Sequence, residues 1–268
     1  MIDIVFYSGD VTSANAGHHA LKCLGATSTD SGSFSKGEIE IRRSDCDLLH
    51  SEYLDELGAD LIIFLSKHSS SSGTPAFTVH STGNWSKNAE FGGKPKSLST
   101  AAPYAMLNII KRLSKLEING IEKTYEATHH GPLLNTPSLF LECGGNKEAL
   151  SNVAFAEKLG EIALEASEDV IGAVEYRGKV VIGIGGGHYP SKFTKLAVEK
   201  GYAFSHILPK YAISGADGAY NIDMLEQAVV KSHTRAECAV IDWKSVNSKE
   251  RAMIIKKLDE IGIAYEKA

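Results

Sequence analysis

Lys179-Val-Val-Ile-Gly-Ile-Gly-Gly-Gly-His-Tyr-Pro-Ser-Lys-Phe-Thr-Lys-Leu-Ala-Val-Glu-Lys-Gly-Tyr-Ala-Phe-Ser-His-Ile-Leu208 is the stretch on which the fold turns. Residues 179–184 form an apolar run too short for a helix, the pattern of a strand buried on both faces. The run stops at three glycines, a helical segment follows over 191–200, and a second extended segment occupies 203–208. Strand, turn, helix and strand in immediate succession are the repeating element of an α/β sheet.

The same alternation extends in both directions. Toward the N-terminus, 1–7 reads as a first strand, 10–24 as a helix capped by Asp10 or Thr12 and stopped at Gly25, and 38–42 as a half-exposed strand. Residues 48–57 read as a helix ended by Gly58, and 61–65 as a buried strand opening onto Ser66-Lys-His-Ser-Ser-Ser-Ser-Gly73. Residues 99–116 carry apolar side chains at steps of three and four, entered through Ser99 or Thr100. Strands are expected at 124–127 and 138–142, and a long helix at 152–171. Toward the C-terminus, 224–231 and 249–262 read as helical, 238–243 and 264–267 as extended. With no repeat or linker to divide it, the chain is expected to form one α/β domain over 1–268 with a mixed, largely parallel sheet. Its Gly-, Pro- and Ser-rich loops follow strands, where open α/β sheets place their ligand crevice.

Composition narrows the function. The chain has 268 residues, 43% of them hydrophobic, which excludes disorder and minimal disulfide scaffolds. A formal net charge of −5 excludes a protein that coats nucleic acid through bulk positive charge, so DNA is not an expected partner. Four scattered cysteines without a C-x-x-C pair point to a reduced, cytoplasmic setting. The N-terminus lacks a basic n-region, and no apolar run approaches the ~18 residues that span a bilayer, so a soluble protein without a membrane partner is expected.

Six of the ten histidines, His68, His80, His129, His130, His188 and His206, sit in segments dense in Gly, Pro, Ser or Thr, unlike accidental core positions. If the strand ends converge, these imidazoles meet Glu126 and Glu142 in one crevice, a donor set suited to zinc. No spaced zinc motif such as H-E-x-x-H is present. The backbone of Gly185, Gly186 and Gly187 is positioned to receive a phosphate or carboxylate oxygen, or simply to turn tightly. It is neither G-x-G-x-x-G nor a Walker loop, which disfavours a nucleotide cofactor. Ser69 and its neighbours lack a nucleophile elbow, so their hydroxyls suit ribose or phosphate contacts better than serine catalysis. Lys67, Lys192 and Lys210 are candidates for phosphates. Asn84-Trp85 is a candidate for stacking on a base, although burial is the commoner fate of tryptophan. Asp242 is a candidate for orienting a histidine, and Cys143 reads as a small buried residue.

Ser66-Lys-His-Ser-Ser, Thr78-Val-His-Ser-Thr-Gly-Asn-Trp85, Tyr125-Glu-Ala-Thr-His-His-Gly-Pro132, Gly183-Ile-Gly-Gly-Gly-His-Tyr189, His206-Ile-Leu-Pro-Lys-Tyr211 and Asp242-Trp-Lys244 occur in this order. In that order they resemble the motifs of the D-aminoacyl-tRNA deacylase family of archaea and plants. Leu133, Cys143 and Ser245 depart from the family pattern, and no histidine does. The resemblance implies hydrolysis of the ester joining a D-amino acid to the tRNA 3' end, dependence on zinc, and a three-layer α/β/α fold like that of phosphorylases and peptidyl-tRNA hydrolases. On that footing His68, His80, His129 and His188 are the expected metal donors, Glu126 a donor or general base, and His130 and His206 the reserve. His129 is expected to be the most sensitive position. The protein is expected to act as a monomer on the acceptor end. A zinc aminopeptidase or amidase on a related fold, and a non-catalytic RNA-binding protein with structural histidines, are the rival readings.

Overall fold

The computed structural model describes residues 1–26, 32–70, 73–172, 178–214 and 220–268; Ser71 and Ser72 of the serine-rich loop lie outside them. β1 (Ile2–Tyr7) leads to α1 (Val11–Cys23), which Asp10 caps by accepting the Ser13 N–H at 2.7 Å. β2 (Ser33–Lys36) and β3 (Ile39–Ser44) pair as an antiparallel hairpin. The helix expected over 48–57 is instead two 3-10 turns, Leu48–His50 and Glu52–Leu57. Ser51 between them sits at φ −102° and ψ 40°, outside helical space.

β4 (Leu61–His68) runs three residues beyond the expected strand and so includes His68. β5 (Ala76–His80), β6 (Gly83–Asn84) and β7 (Ser97–Leu98) follow. α2 (Pro103–Ser114) begins later than Ser99 or Thr100 because Pro103, which suits the first helical position, holds Ala102 in non-helical backbone. Then come β8 (Glu122–Tyr125), β9 (Ser138–Gly144), α3 (Lys147–Leu150), α4 (Val153–Ile171) and β10 (Val180–Ile184). α5 (Ser191–Lys200), β11 (Ala203–Leu208), α6 (Lys210–Ile213), α7 (Leu225–Val230), β12 (Cys238–Ile241), α8 (Ser248–Glu260) and β13 (Ala264–Lys267) complete the chain.

The architecture is α/β with largely parallel strands, divided between two main sheets. The first has seven strands in the order β2-β3-β1-β4-β9-β5-β8, the second four in the order β11-β10-β12-β13, and β6 pairs with β7. In the first sheet β2 against β3 and β5 against β9 are antiparallel, while every pair of the second is parallel. One continuous apolar cluster runs through both sheets, and a smaller one covers the other face of the first. Strand alternation makes this division: Leu61, Ile63 and Leu65 join the main cluster, and Ile62 and Phe64 the smaller one.

The sheets are joined by the segment that follows β8. Glu126 N–H donates to Val79 O at 3.1 Å, Ala127 N–H to His188 O at 2.9 Å and Thr128 N–H to Ile207 O at 3.1 Å. This seam brings the loop after β10 against the ends of β4, β5 and β9.

Candidate active site

The seam collects side chains from one face of the first sheet. On β4, β5, β8 and β9 the odd-numbered Leu65, Val79, Tyr125 and Leu141 belong to the main cluster. Alternation therefore turns His68, His80, Glu126 and Glu142 to the opposite face, that of Phe64 and Phe140. A bend at Thr128 then resets the register and returns His129 to the same crevice. His188 arrives from the loop after β10. His130 adopts a φ of 43°, a left-handed conformation rare outside glycine, within this turn.

His68 Nδ1 lies 3.4 Å from Glu126 Oε1 and 3.4 Å from Glu142 Oε2. His80 Nε2 lies 3.8 Å from Glu126 Oε2, and His188 Nε2 2.8 Å from Glu126 Oε1. The rings of His80, His129 and His130 cluster with centroids 4.3 to 4.9 Å apart, and His188 stands 4.8 Å from His129. Three of these imidazoles are tethered alike: Nδ1 faces a main-chain carbonyl, Ser81 O for His80 at 3.2 Å, Ala127 O for His129 at 2.8 Å and Gly131 O for His130 at 2.6 Å. With Nδ1–H donating there, Nε2 is left as the lone-pair donor. His188 is held at Nδ1 by the Tyr211 hydroxyl, 3.1 Å away, and His68 at Nε2 by that of Tyr189.

Charge divides the site in two. Burial opposes a charged His68, yet Glu126 and Glu142 outweigh it and push its pKa up to about 11. Burial likewise opposes a charged His80, and Glu142 raises it. Burial works against both carboxylates, but His68 and His80 bring Glu142 down to about 2, and His188 and His68 hold Glu126 well below the usual range. His129 and His130 move the other way. Burial, with His130 and His80 beside it, depresses His129, and burial and His80 bring His130 to about 4. These two rings stay neutral across the ordinary pH range.

Several buried polar atoms of the cluster lack aligned partners. Both Glu126 oxygens and His80 Nε2 are enclosed with no aligned hydrogen bond among the described residues, although imidazoles stand at charge-attraction distance. Leaving such atoms bare is costly, and a cation removes the cost. Donor atoms gather in three overlapping sets, His80 with His129 and His130, Glu126 with His129 and His188, and His68 with Glu126 and Glu142. Neutral imidazole and carboxylate are the donors zinc accepts.

The cluster forms the floor of an open cavity of about 660 Å³. Lys67, Ser69, Asn84 and Trp85 line it. Trp85 is nevertheless a packing residue, 4% exposed, with its indole N–H donating to Thr128 O at 3.0 Å; its burial rules out the expected base stacking. Asn84 braces the following loop through Gly92 O at 2.9 Å.

Several sequence expectations are corrected. None of Gly185, Gly186 and Gly187 lines the cavity, and the phosphate cradle is replaced by a tight turn. Gly185 N–H donates to Leu208 O and Gly186 N–H to Ser245 Oγ, each at 2.8 Å, so neither donor is free for an anion. A Cβ on Gly185, at φ +97°, would meet Ser245 Oγ at 2.4 Å. Lys192 pairs with Asp242 and Lys210 with Glu250, both away from the cavity. Asp242 accordingly orients a lysine and not a histidine. His206 stands apart from the three candidate donor sets: Nε2–H donates to Lys231 O at 2.8 Å, and Nδ1 faces Ser81 Oγ at 3.1 Å and Thr128 Oγ1 at 3.3 Å.

His206→Ala is therefore expected to keep the metal content of the wild type while losing ~2–4 kcal/mol of stability through a cavity and stranded polar partners. Burial holds folded His206 at about 4, against ~6.5 in the unfolded chain. From pH 6.5 down to 4 the unfolded state binds a proton that the native state refuses, so this group makes stability fall on acidification by up to ~1.4 kcal/mol per pH unit. Urea melts of both proteins across this window check it: the gap between them must narrow as pH falls. Loss of metal in the variant would return His206 to the donor set.

Sequence reasoning passed over Tyr189, Tyr211, Phe91 and Asp10. The two tyrosines stood in the quoted motifs, each beside a histidine or lysine, and their hydroxyl contacts to His68 and His188 depend on loop placement. The sequence marks Asp10 only as a helix cap, yet it also pairs with Lys67 at 3.1 Å.

A family profile described as D-aminoacyl-tRNA deacylase matches residues 55–266. The D-aminoacyl-tRNA deacylase of Pyrococcus furiosus is 36% identical over 242 residues, covering 87% of this chain and 86% of that protein. That of Methanosarcina barkeri is 39% identical over 215 residues, covering 79% of this chain and 66% of that protein. The crystal structure of AF0625, described as a conserved protein of unknown function, superimposes with a TM-score of 0.84 at 30% identity, covering all of this chain and 95% of that one. Agreement of this extent in sequence, over most of the length, shows that the chain belongs to the D-aminoacyl-tRNA deacylase family.

Proposed function

We propose that the protein hydrolyses the ester between a D-amino acid and the 3' end of tRNA, releasing both, with zinc held by the histidine–carboxylate cluster. The observation that carries the metal assignment is the convergence of three overlapping donor sets on the buried Glu126 and His80, whose site-facing atoms make no aligned hydrogen bond. Family membership supports the substrate class.

His129 and His130, tethered at Nδ1 and held neutral by burial, offer Nε2 donors without first losing a proton, whereas His80, which Glu142 favours in its charged form, gives up its Nε2 proton to bind. Glu126 and Glu142 supply the negative charge that a divalent cation needs in an enclosed site. Zinc bound there supplies Lewis acidity, polarising the ester carbonyl and acidifying water toward a pKa of ~7. His188 Nε2, 2.8 Å from Glu126 Oε1 and fixed behind by Tyr211, can hold a proton beside the carboxylate and pass it to the leaving ribose oxygen. His68, charged between two carboxylates, keeps those side chains in place. An aminoacyl ester is already activated, so an oriented water and oxyanion stabilisation suffice. Enantiomer choice requires only a wall that the L side chain strikes.

Cys23, Cys46, Cys143 and Cys238 are free, in keeping with a reduced cytoplasm. No helix among the described residues is long and apolar enough to cross a membrane.

Purified protein is expected to deacylate D-aminoacyl-tRNA, to spare the L-form, and to stop when a chelator has removed the metal. Equal hydrolysis of both enantiomers defeats the chiral assignment, and full turnover by demonstrably metal-free protein defeats the zinc assignment.

Phosphate contacts narrow to one lysine. Lys67→Ala is expected to raise KM about two- to threefold and to lower the salt slope by under one unit, since Asp10 already pairs with it. Lys192→Ala and Lys210→Ala are expected to leave the salt slope as it was. A flattened slope in either of these two would place phosphates on the second sheet.

A further inference from the structure

We propose that Phe91 and Tyr211 form a stacking clamp for the nucleobases at the single-stranded 3' end of the substrate. This rests on the deacylase reading and adds how the nucleic acid is gripped. Phe91 is 62% exposed and Tyr211 59% exposed, and both line the cavity that holds the histidine cluster. A single exposed apolar side chain needs no explanation. Two aromatic rings at the mouth of one polar cavity are a recognition feature.

Their positions are set by the cluster itself. Gly131 N–H, directly after His129 and His130, donates to Phe91 O at 2.8 Å. A Cβ on Gly131 would meet Gly93 N at 2.3 Å and Gly92 C at 2.5 Å, so the Phe91 loop and the histidine turn touch backbone to backbone. At the other end the Tyr211 hydroxyl holds His188 Nδ1 at 3.1 Å. The rings of His130, His129 and His188 form a row, 4.3 Å and 4.8 Å between successive centroids. Phe91 is thus anchored at the His130 end of the row and Tyr211 at the His188 end. An ester over the row places its terminal nucleoside between them.

Charge gives no rival grip. Among the described residues lining the cavity Lys67 is the one lysine or arginine, against Asp10, Asp47, Glu90 and Glu142, and Asp10 pairs with it. Stacking needs no positive charge and tolerates any base, which suits an end shared by all substrates. Trp85 cannot serve, because it is buried.

The test is isothermal titration of the metal-loaded protein with the trinucleotide CpCpA, beside steady-state deacylation of D-aminoacyl-tRNA. Phe91→Ala and Tyr211→Ala are each expected to weaken CpCpA binding by about tenfold or more. KM for the charged tRNA should rise in parallel, and for Phe91→Ala more than kcat falls. Phe91→Trp and Tyr211→Phe, which keep a ring, are expected to bind within about twofold of wild type. Unchanged CpCpA affinity in either alanine variant overturns the clamp, as does absence of CpCpA binding by the wild type. Ring-dependent CpCpA binding by a protein that leaves D-aminoacyl-tRNA intact would retain the clamp and overturn the deacylase reading instead.

Discussion

On the zinc-deacylase proposal, His129→Ala is expected to lose the bound metal and to slow ester hydrolysis by roughly 10³-fold, the scale of removing a principal electrostatic stabiliser. His129 belongs to two of the three donor sets, with His80 and His130 on one side and with Glu126 and His188 on the other. Its Nδ1 is committed to Ala127 O at 2.8 Å, so its free nitrogen points into the cluster. Alternation from Glu126 would have turned it away. The bend at Thr128, pinned where Thr128 Oγ1 accepts the Ile207 N–H at 3.0 Å, brings both residues to one crevice. His130 belongs to a single donor set, so His130→Ala is expected to keep part of the metal and to lose less rate. Elemental analysis, thermal midpoint and single-turnover rate measured on both variants separate the two roles. A His129→Ala protein that kept the metal and a near-normal rate would remove His129 from the donor sets.

Glu126→Gln is expected to have the second large effect, a loss of roughly 10²- to 10³-fold in rate. It keeps the shape of the side chain and removes its charge, which faces His68, His80 and His188. A buried imidazolium that loses one partner costs about 3–5 kcal/mol, so metal-free variant should also be less stable. The pH dependence has a definite sign. His68 titrates near 11 in the folded state and near ~6.5 unfolded, so its pairing stabilises fully below 6.5 and is lost as pH rises toward 11. Without the Glu126 charge the folded pKa drops, and the window contracts from its alkaline end. The stability gap between metal-free wild type and variant should therefore be widest near neutrality and narrow on the alkaline side. A gap that grew with pH would show that Glu126 does not hold His68 charged.

Local signals made much of this legible. The apolar runs at 61–65 and 179–184 are strands because alternation and burial are properties of neighbouring residues. Short strands failed that rule: Ser33–Lys36 is polar, and Ala76–His80 carries Thr78 and His80 on its site-facing side. The division into two sheets was not legible either, since β10 pairs with β12 across more than fifty intervening residues that no local pattern connects.

By itself the sequence determined the α/β class, the strand ends as the place of chemistry, and the histidine and glutamate pool, because unusual residues in glycine- and proline-rich runs are readable without knowing what they touch. The tertiary structure alone decided which of them share a crevice. His206 resembles His188 in its surroundings along the chain, yet Ser81, Thr128 and Lys231 take both its nitrogens, while His188 faces Glu126. Lys192 and Lys210 looked as available as Lys67 until Asp242 and Glu250 were folded against them. The physical reason is the same in each case. A side chain's chemical type is local, but whether its polar atoms are free for a ligand depends on partners that only chain folding brings within hydrogen-bonding distance.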